Sequence, residues 1–265
     1  MHNFVDSHCH INSDQLRAAA REVMQRATDV GVRRILVVGS DLSDSVEAVT
    51  MAHAFEGSGV FAAVGVHPHD SKTVPDGLPD SLLRLADDPR VVAIGETGLD
   101  YFYDHSPRDV QRKVFCMHAS WARRTGKPLV LHVRDAMEDA LATLAGLPFD
   151  AGELRLLFHC YAGGQEHLDA MRSLDAYMSL GGPVTWPKND DLRRTAALIP
   201  EDRLLCETDA PWLTPGPHRG KLNEPAFVRY VYETLADVRG VSTDALARAV
   251  SANAARLFGW GSPDV

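Results

Sequence analysis

Short apolar runs recur along the chain, and between them lie longer stretches in which apolar residues return every three or four positions. The runs are Phe4-Val5, Arg34 to Gly39, Phe61 to Val66, Val91 to Gly95, Pro128 to Leu131, Leu154 to Phe158, Ala176 to Leu180 and Leu204 to Cys206. Apolar residues without polar alternation are what a strand buried on both faces requires, so these runs predict a parallel sheet covered by helices. The helical stretches begin with about 13–30, where Leu16, Ala20, Val23, Met24 and Ala27 form one stripe, and continue with 43–55 and a short one at 82–86. A long helix over 107–125 is bracketed by Pro107 at its start and Gly126 at its stop. Further helices are expected at 136–144 and 165–174, from after the seventh strand to Ile199, and at 224–239 and 243–258. Eight strands alternating with helices predict a (β/α)₈ TIM-type barrel forming a single domain over residues 1–265. An open doubly wound sheet is the alternative, and its nucleotide-binding form is weakened because no G-x-G-x-x-G stands at a first strand–helix turn.

The polar residues that end these runs carry the chemistry. The first run leads into His8-Cys9-His10, the fourth delivers Glu96, the fifth His132, the sixth His159 and the eighth Asp209. In a parallel barrel all these ends open on one face, which collects imidazoles and carboxylates into a divalent-metal site. His8 and His10 are two apart, so on a strand both rings point the same way. Glu96 lies between Gly95 and Gly98, a spacing that signals tightly approached backbone, and a carboxylate can bridge two cations where an imidazole cannot. Asp209 is a candidate both for metal ligation and for taking a proton from an attacking water, and Glu207 for supporting a ligand from behind. His67 and His69 end the third run and suit ligation, substrate contact or structural hydrogen bonding. His53, His118 and His167 on helices and His105 in a loop are expected to have ordinary roles. Near the strand ends, Arg134, Lys188, Arg219 and Lys221 are candidate phosphate contacts.

Composition narrows the partners. Of 265 residues, 45% are hydrophobic and 24% charged, and the formal net charge is −9. That balance argues against coating nucleic acid through a broad basic surface, while leaving room for a nuclease whose positive charge is its metal. No run reaches the ~18 apolar residues of a membrane span. The opening Met1-His2-Asn3-Phe4 has neither basic flank nor apolar core, so no signal peptide is expected. The four cysteines, Cys9, Cys116, Cys160 and Cys206, are widely spaced, which fits a reducing cytoplasmic setting. Nothing in the chain points to an obligate protein partner.

The ordered motifs resemble the TatD family of metal-dependent deoxyribonucleases, within the amidohydrolase-like barrels. Val5-Asp6-Ser7-His8-Cys9-His10, Gly65-Val66-His67-Pro68-His69, Ile94-Gly95-Glu96-Thr97-Gly98-Leu99-Asp100, His132-Val133-Arg134-Asp135-Ala136, His159-Cys160-Tyr161-Ala162-Gly163, Glu207-Thr208-Asp209-Ala210-Pro211-Trp212-Leu213 and Arg219 to Pro225 carry the likeness. The closing Asn253 to Gly259 is similar as well. Trp186-Pro187 departs from the family, which often has an aromatic followed directly by lysine there. The resemblance implies a TIM-type barrel, two or more divalent cations (Mg, Mn or Zn) and hydrolysis of DNA phosphodiester bonds, often from the 3′ end. On that reading His8, His10, Glu96 and Asp209 hold one cation and Glu96, His132 and His159 the other. Asp209 and Glu96 are catalytic, and His67, Arg134, Lys188, Arg219 and Lys221 contact substrate. A small-molecule amidohydrolase with the same binuclear site is the first alternative, although many such enzymes carry a carboxylated lysine where this chain has Glu96. A non-catalytic metal-binding scaffold is the second, and retention of every expected ligand argues against it.

Overall fold

The computed structural model describes residues 3–261, so residues 1–2 and 262–265 of the expected domain lie outside the described residues. The strands are β1 (Phe4–Cys9), β2 (Val32–Val38), β3 (Val60–Val64), β4 (Val91–Asp100), β5 (Leu129–Arg134), β6 (Leu156–Phe158), β7 (Tyr177–Leu180) and β8 (Leu204–Cys206). They pair in parallel and in sequence order as one eight-stranded sheet. The helices are α1 (Ala20–Asp29), α2 (Leu42–Ala54), α3 (Asp80–Leu85), α4 (Arg108–Thr125), α5 (Met137–Ala145), α6 (Leu168–Ser173), α7 (Asp190–Leu198), α8 (Val228–Arg239) and α9 (Thr243–Phe258). This is the (β/α)₈ barrel that the apolar runs predict. Among the described residues no helix is long and apolar enough to cross a membrane.

The sheet closes by a different means from its ladders. Among the described residues no ladder joins β8 to β1. Beyond the end of β8, Asp209 N–H donates to the His8 carbonyl (2.9 Å) and His10 N–H to the Ala210 carbonyl (2.7 Å). Deeper in, the buried Asp6 carboxylate accepts from Thr208 N–H (2.9 Å) and the Thr208 hydroxyl (2.6 Å), and Ser7 Oγ–H donates to the Cys206 carbonyl (3.0 Å). Two backbone bonds and polar side chains together thus stand in for a ladder at the seam that brings His8, His10 and Asp209 together.

Three helices begin later than the apolar periodicity suggests. Residues 13–19 fold as turns in which Leu16 and Arg17 N–H both donate to the Ser13 carbonyl, so α1 starts only at Ala20. Pro183 and Pro187 hold the stretch after β7 in a short 3₁₀ turn and loop, and α7 starts at Asp190. Pro225 likewise opens a 3₁₀ turn ahead of α8.

The largest departure is in β4. Glu96 does not follow the strand but sits within it. Ile94 pairs with Leu129 and Thr97 with Leu131, so β4 spends one residue more than β5 over this interval, a bulge. Gly95 and Gly98 hold φ +130° and +133°. A Cβ at Gly95 would lie 2.5 Å from the Val130 carbonyl oxygen, and one at Gly98 2.1 Å from that of His132. The glycines therefore answer to the close approach of β5 rather than to a ligand, and the bulge aims Glu96 into the barrel mouth.

Candidate metal centre

His8, His10, Glu96, His132, His159 and Asp209 converge at the C-terminal end of the barrel. Glu96 lies between two pairs of imidazoles. Its Oε2 is 3.3 Å from His8 Nε2 and 3.6 Å from His10 Nε2, whereas its Oε1 is 3.0 Å from His132 Nδ1 and 2.7 Å from His159 Nε2. Asp209 Oδ1 faces His8 and His10 Nε2 at 3.8 and 3.6 Å. His67 belongs to the interior of the cluster, with Nε2 3.6 Å from Glu96 Oε1.

For His10, His132 and His159 the far ring nitrogen has a partner that leaves the near one free. His10 Nδ1 lies 2.9 Å from the Val38 carbonyl oxygen, so it donates there and leaves an Nε2 lone pair for the cluster. His132 Nε2 lies 3.0 Å from Asp100 Oδ2, and His159 Nδ1 3.4 Å from Glu207 Oε1. His8 Nε2 and His10 Nε2 are 3.1 Å apart, two basic nitrogens aimed at one point. Nitrogens and carboxylate oxygens so arranged form the donor set of a borderline divalent cation, and the residues fit one. Among the described residues the groupings compatible with a cation include His8, His10 and Asp209, and His67, Glu96 and His132.

Asp100 is a site residue that the apolar runs did not single out. Its buried carboxylate meets His132 through Oδ2 and also His69 Nε2 (2.9 Å), while Oδ1 accepts from Phe102 and Tyr103 N–H at 3.0 and 2.9 Å. The signal was present, because 96, 98 and 100 alternate onto one strand face. Glu207 sits behind His159 as expected. It accepts from Cys160 N–H (2.8 Å) and from the Ser179 hydroxyl, and so fixes the turn in which Cys160 holds φ +43°. Asp209 itself holds φ +55°, and such strain in a non-glycine residue persists where surrounding contacts enforce it.

The electrostatics follow from packing charge out of water. Burial alone would push the Glu96 carboxyl up, yet His159, His8 and His67 hold it well below the usual carboxylate range. Burial would lower His159, but Glu96 and Glu207 outweigh it and the imidazole is raised well above its ordinary value. His132 is raised too, with Asp100 and Glu96 overcoming burial. His8 goes the other way, to about 4, through burial and the neighbouring His159. Asp209 is pushed up to about 6 by burial, against the pull of His159 and His10. The anionic carboxylates call for positive charge at this point, and divalent cations meet that demand.

The basic candidates lie outside this cluster. Arg134, Lys188, Arg219 and Lys221 are all exposed. Arg134 lies over the rings of Phe102 and Tyr103, at 4.0 and 4.9 Å, and Arg219 over Trp186 at 4.1 Å. Trp186 Nε1–H donates to the Thr214 carbonyl (2.9 Å), tying the loop after β7 to the loop after β8.

A parallel barrel with imidazoles and carboxylates gathered at its C-terminal mouth is the architecture of the barrel metallohydrolases. The family model described as TatD related DNase matches residues 5–259, and the chain belongs to the TatD family of metal-dependent hydrolases. It is 37% identical over 253 residues to an uncharacterized metal-dependent hydrolase, YabD, of Bacillus subtilis, covering 96% of this chain and 98% of the relative. It is 35% identical over 254 residues to the 3′-5′ ssDNA/RNA exonuclease TatD of Erwinia billingiae, covering 94% and 96%. The crystal structure of YJJV, a TatD homolog from Escherichia coli K12, superposes with a TM-score of 0.85 at 26% identity, covering 97% and 98%.

Proposed function

We propose that the protein is a divalent-metal-dependent phosphodiesterase that trims DNA from strand 3′ ends. The observation that carries this reading is Glu96, whose two oxygens face two separate imidazole pairs within 2.7–3.6 Å. His8, His10, Glu96 and Asp209 would hold one cation and Glu96, His132 and His159 the other, with His67 beside the shared carboxylate. Two bound divalent cations (Mg, Mn or Zn) would supply Lewis acidity at the phosphoryl group and ease deprotonation of water.

The chain's own residues then have distinct tasks. The Asp209 carboxylate orients a water molecule and takes its proton as the water oxygen bonds to phosphorus and the bond to the leaving oxygen breaks. Asp100 and Glu207 keep His132 and His159 turned so that their free nitrogens stay in the cluster. Arg134, Lys188, Arg219 and Lys221 contact the flanking phosphates from the rim. The exonuclease of Erwinia billingiae, similar over nearly the whole chain, supports nucleic acid as substrate.

The test is hydrolysis of a 3′-labelled single-stranded oligonucleotide. The expected result is stepwise loss of the label, abolished by EDTA and restored by Mg²⁺, Mn²⁺ or Zn²⁺. Undiminished hydrolysis in EDTA, or none with any of the three cations, would overturn the reading.

A further inference from the structure

The aromatic rings left exposed on this protein gather where the imidazole cluster opens. Phe102, Tyr103 and Trp212 are 56%, 49% and 51% exposed, at a cost for apolar ring surface left in water. A single exposed ring calls for no explanation. These three, however, are joined through the cluster by one row of ring contacts. Trp212 lies 5.1 Å from His10, which is 5.0 Å from His8; His8 stacks on His159 at 3.8 Å, and His159 is 5.4 Å from His132. The row continues from His132 to His69 at 6.3 Å, from His69 to Tyr103 at 5.4 Å and from Tyr103 to Phe102 at 4.8 Å. Its two ends follow different strands, Tyr103 after β4 and Trp212 after β8. In a barrel of eight strands in sequence order these stand half a turn apart. The exposed rings therefore flank the cluster from opposite sides of the mouth.

Each end also has the chemistry of a nucleobase platform. Tyr103 is backed by the His105 ring, nearly parallel to it at 19° and 5.4 Å away. The Arg134 guanidinium lies over both Phe102 and Tyr103. A guanidinium stacked on a ring keeps its N–H edge free for a phosphate oxygen. A planar base with apolar faces matches such rings, and every base has a face to offer. In a duplex those faces are already stacked on their neighbours, so only unpaired bases can be received.

We propose that the Phe102–Tyr103–Arg134 face and the Trp212 face are stacking platforms for the unpaired bases on the two sides of the phosphate held at the cluster. The ligand is a single strand of nucleic acid. This rests on the phosphodiesterase reading above and adds to it the side chains that select an unpaired strand. Because stacking is tolerant of base identity, discrimination among sequences should be weak.

The probe is a fluorescein-labelled single-stranded oligonucleotide, as DNA and as RNA, each paired with a version carrying abasic sites at its last two 3′ positions. Binding is followed by anisotropy in EDTA, and hydrolysis is followed separately with Mn²⁺. The wild-type protein should bind the base-bearing strand about tenfold more tightly than its abasic partner. Tyr103→Ala and Trp212→Ala should each bring that ratio toward one and raise KM more than they lower kcat. Tyr103→Phe and Trp212→Phe, which keep a stacking face, should preserve it. The comparison is internal to each variant, so a general weakening of the fold does not imitate it. A wild-type ratio near one, or alanine variants that keep the full ratio, would overturn the platforms. Base-dependent binding without hydrolysis under any cation would uphold the platforms and sink the phosphodiesterase reading. Hydrolysis indifferent to the terminal bases would do the reverse.

Discussion

At the scale of single residues, the centre depends on carboxylates with different tasks. Glu96 touches both imidazole pairs, so Glu96→Ala should lose bound cation and activity together while the circular dichroism spectrum stays that of the wild type. The barrel core packs through Ile94 and its neighbours rather than through this carboxylate. Metal content by mass spectrometry decides the matter: full occupancy with lost activity would make Glu96 a proton carrier and not a bridge. Asp100 acts one step further out. Asp100→Asn weakens the grip on His132 Nε2 and should cost about 10- to 100-fold in cation affinity or activity, with unchanged affinity showing that the ring is held by other contacts. The six converging side chains were legible in the sequence because each imidazole or carboxylate ends or interrupts an apolar run. Asp100 was less so because it shares a strand with Glu96 and looks like the tail of the same motif. His105 and Tyr103 were not legible as neighbours of the centre, since only the turn after β4 brings a loop histidine and an exposed ring back to His69.

At the scale of elements, two buried polar contacts hold strand ends where the chemistry needs them. Asp6 closes the barrel seam, and Asp6→Ala would strand the Thr208 N–H and hydroxyl without their acceptor in a buried place. Each such group costs about 1–3 kcal/mol, so the urea midpoint should fall clearly. An unchanged midpoint would mean that the seam is carried by the backbone bonds at His8 and His10 and the Ser7 contact to Cys206 without Asp6. On α4, His118 is fully buried, accepts the Val66 N–H at Nε2 (3.0 Å) and donates through Nδ1 to the Val114 carbonyl (2.9 Å). It fixes Val66, two residues past the end of β3 and one before His67, which is more than the ordinary interhelical role its helical position suggests. Burial lowers its pKa to about 4, from 6.5 when exposed. Between those values the unfolded chain binds a proton that the folded chain refuses, so the stability this neutral ring contributes is present above pH 6.5 and is lost as pH falls toward 4. The difference corresponds to about 3 kcal/mol. Chemical denaturation of wild type and His118→Gln across this range should show a larger acid-side loss in the wild type than in the variant; parallel curves would refute the assignment. The barrel itself was legible because buried parallel strands read as unbroken apolar runs. The starts of α1, α7 and α8 were not, because turns at Ser13 and prolines at 183, 187 and 225 override an apolar period that continues through them. The bulge that turns Glu96 inward was visible only as two glycines, whose demand comes from β5 backbone far along the chain.

At the scale of the whole molecule, the proposed phosphodiesterase activity requires an acidic protein to engage a polyanion. A formal net charge of −9 gives weak long-range repulsion toward DNA rather than steering, so attraction must be confined to the mouth. The positive groups available there would be the bound cations and the exposed Arg134, Lys188, Arg219 and Lys221, two of which are already stacked on rings. So small a set neutralises a few phosphates near a strand end, which suits trimming better than cutting within a long duplex. For a single strand, log affinity falls against log salt with a slope of about −0.7 for each phosphate neutralised, so two or three contacts give a slope of about −1.4 to −2.1. The measurement uses a catalytically dead variant, with a salt titration of its complex with a fluorescent oligonucleotide. A shallow slope, together with affinity that stops rising once the strand exceeds a few nucleotides, is the expected outcome. A slope of about −4 or steeper would require roughly six phosphate contacts. That would mean an extended basic groove, and binding directed at strand ends would have to be abandoned.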